Sequence, residues 1–135
     1  MSTDAEHLQA AIAEARKGRA EGGIPIGAAL VVDGQVIAVG HNKRVQEGSP
    51  IKHGETDCLE NAGRLAASVY ARATMVTTLS PCDMCTGAIL LYGIPRVVRG
   101  ENATFVGGED YLRARGGEVV NLDSDESKQL MRDFI

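Results

Sequence analysis

Two short runs in this 135-residue chain, His53-Gly54-Glu55 and Pro81-Cys82-Asp83-Met84-Cys85, carry side chains that could do chemistry together. Zinc takes His nitrogen and Cys thiolate; a catalytic site uses three protein ligands and keeps the fourth position for water, whereas a structural site is closed by four. His53, Cys82 and Cys85 supply three. A metal so held lowers the pKa of bound water from about 15.7 toward about 7, which yields a nucleophile at neutral pH. Glu55 lies two residues past His53, near enough to reach that water without becoming a ligand. Its carboxylate could take a proton and hand it on, doing base and acid work with one group.

Other readings compete for the same residues. Cys-x-x-Cys alone also occurs in redox sites, structural zinc sites and plain cores. A structural site needs a fourth ligand, and the spare candidates are Cys58, His41 and His7. Cys58 falls on an apolar helical stripe and reads as a small buried hydrophobe. His41 reads as a polar residue at a strand end, and Asn42 beside it as either a substrate contact or a turn cap. Met84 reads as packing and Glu60 as a solvated helix residue.

These groups need elements that bring them together. Thr3-Asp4-Ala5-Glu6 predicts a capped helix start, with Leu8, Ala11, Ile12 and Ala15 at helical spacing and Gly22-Gly23 and Pro25 as its end. Ala28–Val32 and Val36–Val39, separated by Asp33-Gly34, predict a hairpin. Val45 to Lys52 reads as a loop. Leu59, Ala62, Leu65, Ala66 and Val69 predict one helix from Gly54 to about Tyr70. A strand over Thr74–Leu79 leads into a helix opened by Pro81 and stopped at Gly93. A strand at Arg96–Val98, a helix at Glu109–Arg115, a strand at Glu118–Leu122 and a helix from Ser124 complete the order. Alternating strands and helices imply parallel pairing, hence an α/β fold: a three-layer α/β/α sandwich with a five-stranded mixed sheet. His53 and Glu55 would then open one helix and Cys82 and Cys85 another, at the strand ends where α/β proteins bind ligands. Helix N-termini would favour the thiolates.

Composition sets outer limits. Apolar residues are 44% and charged residues 24% of the chain, ordinary values for a globular protein. No repeat or linker divides it, so residues 1–135 read as a single domain. No run approaches 18 apolar residues, so no membrane span is expected. The N-terminal Met1-Ser2-Thr3-Asp4-Ala5-Glu6 has no apolar signal core, and three cysteines argue against a disulfide framework; both point to the cytoplasm. The net charge of −4, with scattered basic residues, argues against a nucleic-acid partner.

His-x-Glu followed by Pro-Cys-x-x-Cys is the known signature of zinc-dependent nucleobase deaminases, and the agreement is a matched pattern, not a derivation from spacing. The wider sequence resembles the fungal-type cytosine deaminases of the cytidine and deoxycytidylate deaminase superfamily. The likeness runs through Gly23-Ile24-Pro25-Ile26-Gly27, Gly40-His41-Asn42, His53-Gly54-Glu55, Leu59-Glu60-Asn61, Thr77-Thr78-Leu79-Ser80-Pro81-Cys82 and Tyr92-Gly93-Ile94-Pro95-Arg96. The resemblance implies the cytidine deaminase-like fold, a homodimer, one zinc per subunit, and hydrolysis of free cytosine to uracil and ammonia in pyrimidine salvage. It also implies that Asn42 and the Gly54 N–H bind the polar edge of the base, that the Ser80 carbonyl faces the exocyclic amine, and that Ile26 and Phe105 pack on the ring. Gly54 separates the chain from tRNA deaminases, which typically carry Ala there. Two departures stand out. The family continues past the equivalent of Phe134-Ile135 with a tail that closes over the substrate. Asp57 and Cys58 replace small hydroxyl residues, and Asp57 could raise the pKa of Glu55 or simply face solvent. The competing readings are a deaminase of another base such as guanine and a non-catalytic zinc-stabilised module; Glu55 argues against the latter.

Overall fold

The computed structural model describes residues 3–135; Met1 and Ser2, part of the stretch read as lacking a signal core, lie outside it. The elements are α1 (Asp4–Ala20), β1 (Gly27–Val32), β2 (Gln35–His41), α2 (Arg44–Glu47), α3 (Gly54–Ala62), α4 (Ala67–Tyr70), β3 (Ala73–Leu79), α5 (Asp83–Leu91), β4 (Arg96–Glu101), α6 (Glu109–Ala114), β5 (Glu118–Asn121) and α7 (Asp125–Phe134). The strands form one five-stranded sheet in the order β2-β1-β3-β4-β5. β1 runs antiparallel to β2 and β3, while β3, β4 and β5 are parallel. The mixed sheet of the sequence reading is therefore present.

Period-two alternation divides the core into two layers. Ala28, Leu30, Val32, Met75 and Val97 face Cys58, Ile89 and Leu112 of α3, α5 and α6. Ala29, Val31, Val76 and Val98 face Leu8, Ala11, Ile12 and Ala15 of α1 and Leu130 of α7. Successive strand side chains point to opposite faces, so buried strands flanked on both sides read as continuous apolar runs. Thr3 caps α1, its hydroxyl accepting the Glu6 N–H at 3.2 Å. Ser124 caps α7 in the same way, accepting the Ser127 N–H at 3.1 Å.

Three local expectations are corrected. The helix expected from Gly54 to Tyr70 is two pieces. α3 stops at Ala62 because Gly63 adopts φ 77°, a left-handed value glycine tolerates, and the chain restarts as the single turn α4. The apolar stripe survives the break because Leu59, Ala62, Leu65 and Val69 all still pack against the same core. The expected loop at 45–52 contains the short turn α2. Finally, the helix expected to open at Pro81 starts at Asp83, with Cys82 as its N-cap.

The antiparallel pairing of β1 with both neighbours gathers the future site at one sheet edge. Gly27 at the start of β1 pairs with His41 at the end of β2, and Ala28 with Thr77 near the end of β3. Ile26, Asn42 and Ser80 therefore leave the sheet on the same side.

Candidate metal and active site

His53 is the N-cap of α3 and Cys82 the N-cap of α5; Cys85 lies one turn into α5. The Thr56 hydroxyl reaches back to accept the His53 backbone N–H at 2.9 Å, which fixes the helix start. That ring places Nδ1 3.4 Å from Cys82 Sγ and 3.7 Å from Cys85 Sγ. The three ligand atoms lie within 4.8 Å of one another, the one such group among the described residues. All three cysteines are free thiols, so the donor set is one nitrogen and two sulfurs, a set that suits Zn²⁺ with one position left over. Burial, and then the Arg44 cation, hold His53 below its ordinary pKa, which keeps the imidazole neutral and its lone pair available. The helix starts do not make Cys85 an easy thiolate: burial drives its pKa up, with the Glu55 and Cys82 charges adding to the effect. A cation bound between the two sulfurs would supply the counter-charge that favours thiolate.

Glu55, the second residue of α3, is 4% exposed. Burial pushes its pKa up to about 7, against smaller opposing effects of its own backbone N–H and of the Cys85 and Thr77 side chains. A carboxyl poised near neutrality can both accept and return a proton at working pH.

These groups open onto a cavity of about 260 Å³ lined by Ile24, Ile26, Asn42, Arg44, His53, Glu55, Leu79, Ser80, Cys82, Phe105, Met131 and Phe134. Its size is near the lower end of small-molecule sites, about 300 Å³, which suits one ring better than a nucleoside. Every substrate-side residue named from the sequence except Gly54 contributes to that lining. Gly54 is buried beside it, where a methyl would stand 3.4 Å from Ile26 Cγ2, at ordinary contact distance. Asn42 Oδ1 accepts the Arg44 N–H at 3.0 Å, the turn-closing contact open to it from the sequence, and the residue also lines the cavity. The larger cavity, about 540 Å³ between α3 and α5 around Leu59, Arg64, Tyr70 and Tyr92, contains none of the ligand trio.

The structure adds residues that spacing did not reveal. Met131 and Phe134 of α7 wall the cavity opposite Ile26 in sequence, more than 100 positions away. Ser80 Oγ donates to Glu109 Oε2 at 2.6 Å and accepts the Gly107 N–H at 3.0 Å, while Glu109 pairs with the buried Arg99. This network ties the β3 exit to the loop bearing Phe105. Asp57 neither faces solvent nor acts on Glu55: it is 1% exposed and pairs with Lys43. Cys58 is fully buried, with its thiol pushed up to about 12 by desolvation, as a small hydrophobe should be.

A three-layer α/β/α fold with His/Cys/Cys ligands and a buried glutamate on two helix starts defines a zinc-dependent deaminase. The sequence profile of the cytidine and deoxycytidylate deaminase zinc-binding region matches residues 1–101, and the chain belongs to that family. It is 53% identical over 133 residues to the cytosine deaminase of Candida albicans, covering 98% of this chain and 89% of that protein. It is 40% identical over 127 residues to the tRNA-specific adenosine deaminase of Bacillus subtilis, covering 93% and 74%. Among solved structures, a tRNA:A34 deaminase superposes with TM-score 0.78 at 28% identity, over 93% of this chain and 99% of that one. The guanine deaminase of Nitrosomonas europaea superposes with TM-score 0.83 over 99% and 85%; at 24% identity it shares the fold.

Proposed function

We propose that the chain, acting as one domain over residues 1–135, hydrolyses free cytosine to uracil and ammonia. The observation that carries the reading is a buried glutamate of near-neutral pKa beside a His/Cys/Cys trio, in a cavity sized for a single ring. The 53% identity to a cytosine deaminase supports the choice of base. His53, Cys82 and Cys85 would hold Zn²⁺, which when bound makes water nucleophilic near neutral pH. Asn42 and the Gly54 N–H orient the polar edge of the ring, Ile26 and Phe105 hold its faces, and the Ser80 carbonyl accepts from the exocyclic amine. Glu55 takes a proton from the attacking water and delivers it to the ring nitrogen. It then carries the second proton to the departing amine, so water's oxygen replaces nitrogen on the ring and ammonia leaves.

The setting that fits this chemistry is the cytoplasm, in pyrimidine salvage, with thiols kept reduced. A homodimer would use the outer face of α5, where Leu91 is 76% and Tyr92 45% exposed; Ile89, by contrast, belongs to the core. Light scattering in solution reads that state directly. Ammonia release across free bases and nucleosides tests the function. Turnover of cytosine is expected; turnover of guanine with none of cytosine would overturn the substrate, and tight, salt-dependent tRNA binding would point to an editing role.

A further inference from the structure

Asp57 is the buried charge of α3 that the proton-transfer chemistry does not use. It sits in the same helical turn as Glu55 but points to β2. Its Oδ2 accepts the His41 backbone N–H at 3.1 Å. Lys43 Nζ stands 3.0 Å from Oδ2 and 3.1 Å from Oδ1, gripping the carboxylate at both oxygens. The Asp57 carboxylate thus holds the residues on either side of Asn42, the side chain at the cavity wall.

Other contacts immobilise His41 and Asn42. The His41 ring is held between Glu14 at 3.0 Å and Glu21 at 2.8 Å. The Asn42 backbone N–H donates to the Ile26 carbonyl at 3.0 Å. Oδ1 of Asn42 accepts from the Arg44 N–H, which fixes the amide plane and leaves its NH₂ to donate to a ring carbonyl. An ion pair with a buried carboxylate is a poor source of stability, because well-packed apolar residues commonly do as well; its best-attested use is to select one geometry. The geometry selected here is that of the base-reading amide.

We propose that Asp57 and Lys43 form a clasp that positions Asn42, so that α3 carries the proton shuttle on one side and the support of base recognition on the other. This rests on the reading of Asn42 as a substrate contact. Asp57 and Lys43 are positioning residues, and neither lines the cavity.

The test is steady-state deamination of cytosine by the zinc-loaded chain and by Asp57→Asn, Lys43→Gln, the double variant and Lys43→Arg, with zinc content measured for each. The clasp predicts KM raised about tenfold or more in either single variant, kcat within about threefold, zinc retained, and the double variant no worse than the worse single one. Lys43→Arg should restore most of the affinity. Unchanged KM in Lys43→Gln, or loss of kcat alone, would overturn the proposal; Lys43 is partly exposed, so this variant decides the matter if Asp57→Asn fails to fold. Absence of cytosine turnover by the parent chain would contradict the functional reading and not the clasp. Amide exchange then decides: the His41 N–H should exchange about tenfold faster in Lys43→Gln, and unchanged exchange would overturn the clasp.

Discussion

Glu55 and Asp57 lie two residues apart on the first turn of α3 and meet opposite environments. Glu55 faces the cavity, and burial pushes its pKa up to about 7. Asp57 is as deeply buried but has Lys43 against it. Residue type alone shows two carboxylates; only the direction of each along the turn separates a shuttle from a support. The cysteines teach a related lesson. A helix start argues for easy thiolates, but burial wins at Cys85, so deprotonation is coupled to cation binding. Cys82→Ala should therefore bind little zinc and melt at a lower temperature, and treatment of the parent chain with a chelator should lower its melting temperature in the same sense. Metal analysis and thermal unfolding of both check this; a variant that kept its zinc would remove Cys82 from the ligand set.

At the scale of elements, the ligand trio was legible because its residue types and spacing survive in one dimension. The hairpin and the strand-helix alternation were legible because periods of two and 3.6 are local. The break of the helix at Gly63 was not, since Leu65 and Val69 continue the apolar stripe on the far side of it. Nor was the Ser80–Glu109–Arg99 network, which joins β3, α6 and β4 across turns that fix no sequence distance. The contact of β2 with α3 is equally non-local. A β-carbon at Gly40 would come within 2.3 Å of the Cys58 backbone nitrogen and 2.7 Å of its Cα. Backbone cannot yield as a flexible side chain can. Gly40→Ala should cost about 3 kcal/mol in denaturant unfolding, the upper end for overpacking, and should weaken activity by displacing Asn42.

Across the whole molecule, distant parts of the chain meet at the sheet edge and at one surface ion cluster. Met131 and Phe134 bring α7 to the cavity, so the last helix walls the site that β2, α3 and β3 begin. At the opposite end of that sheet layer, Arg96 of β4 grips Asp4 of α1 at 2.8 and 2.6 Å and also pairs with Glu118 of β5. The Arg96 hydrogen bonds hold the Asp4 carboxyl below its ordinary 3.8 despite some desolvation. A depressed carboxylate pKa contributes stability that is fully present above the unfolded value and lost as pH falls through the folded one. Stability measured by urea unfolding should fall on acidification below about pH 4, and Asp4→Asn should flatten that part of the profile. An unaltered profile would show that the pair contributes nothing to the acid limb.

Everything proposed for the reaction passes through one carboxylate. The decisive measurement is ammonia release from cytosine by Glu55→Gln, made alongside its zinc content and melting temperature. The expected result is full zinc, an intact fold and activity lower by about three powers of ten or more, toward the upper range for loss of a general acid–base. Activity near that of the parent chain, with zinc bound, would contradict the assignment of Glu55 as the group that moves the protons.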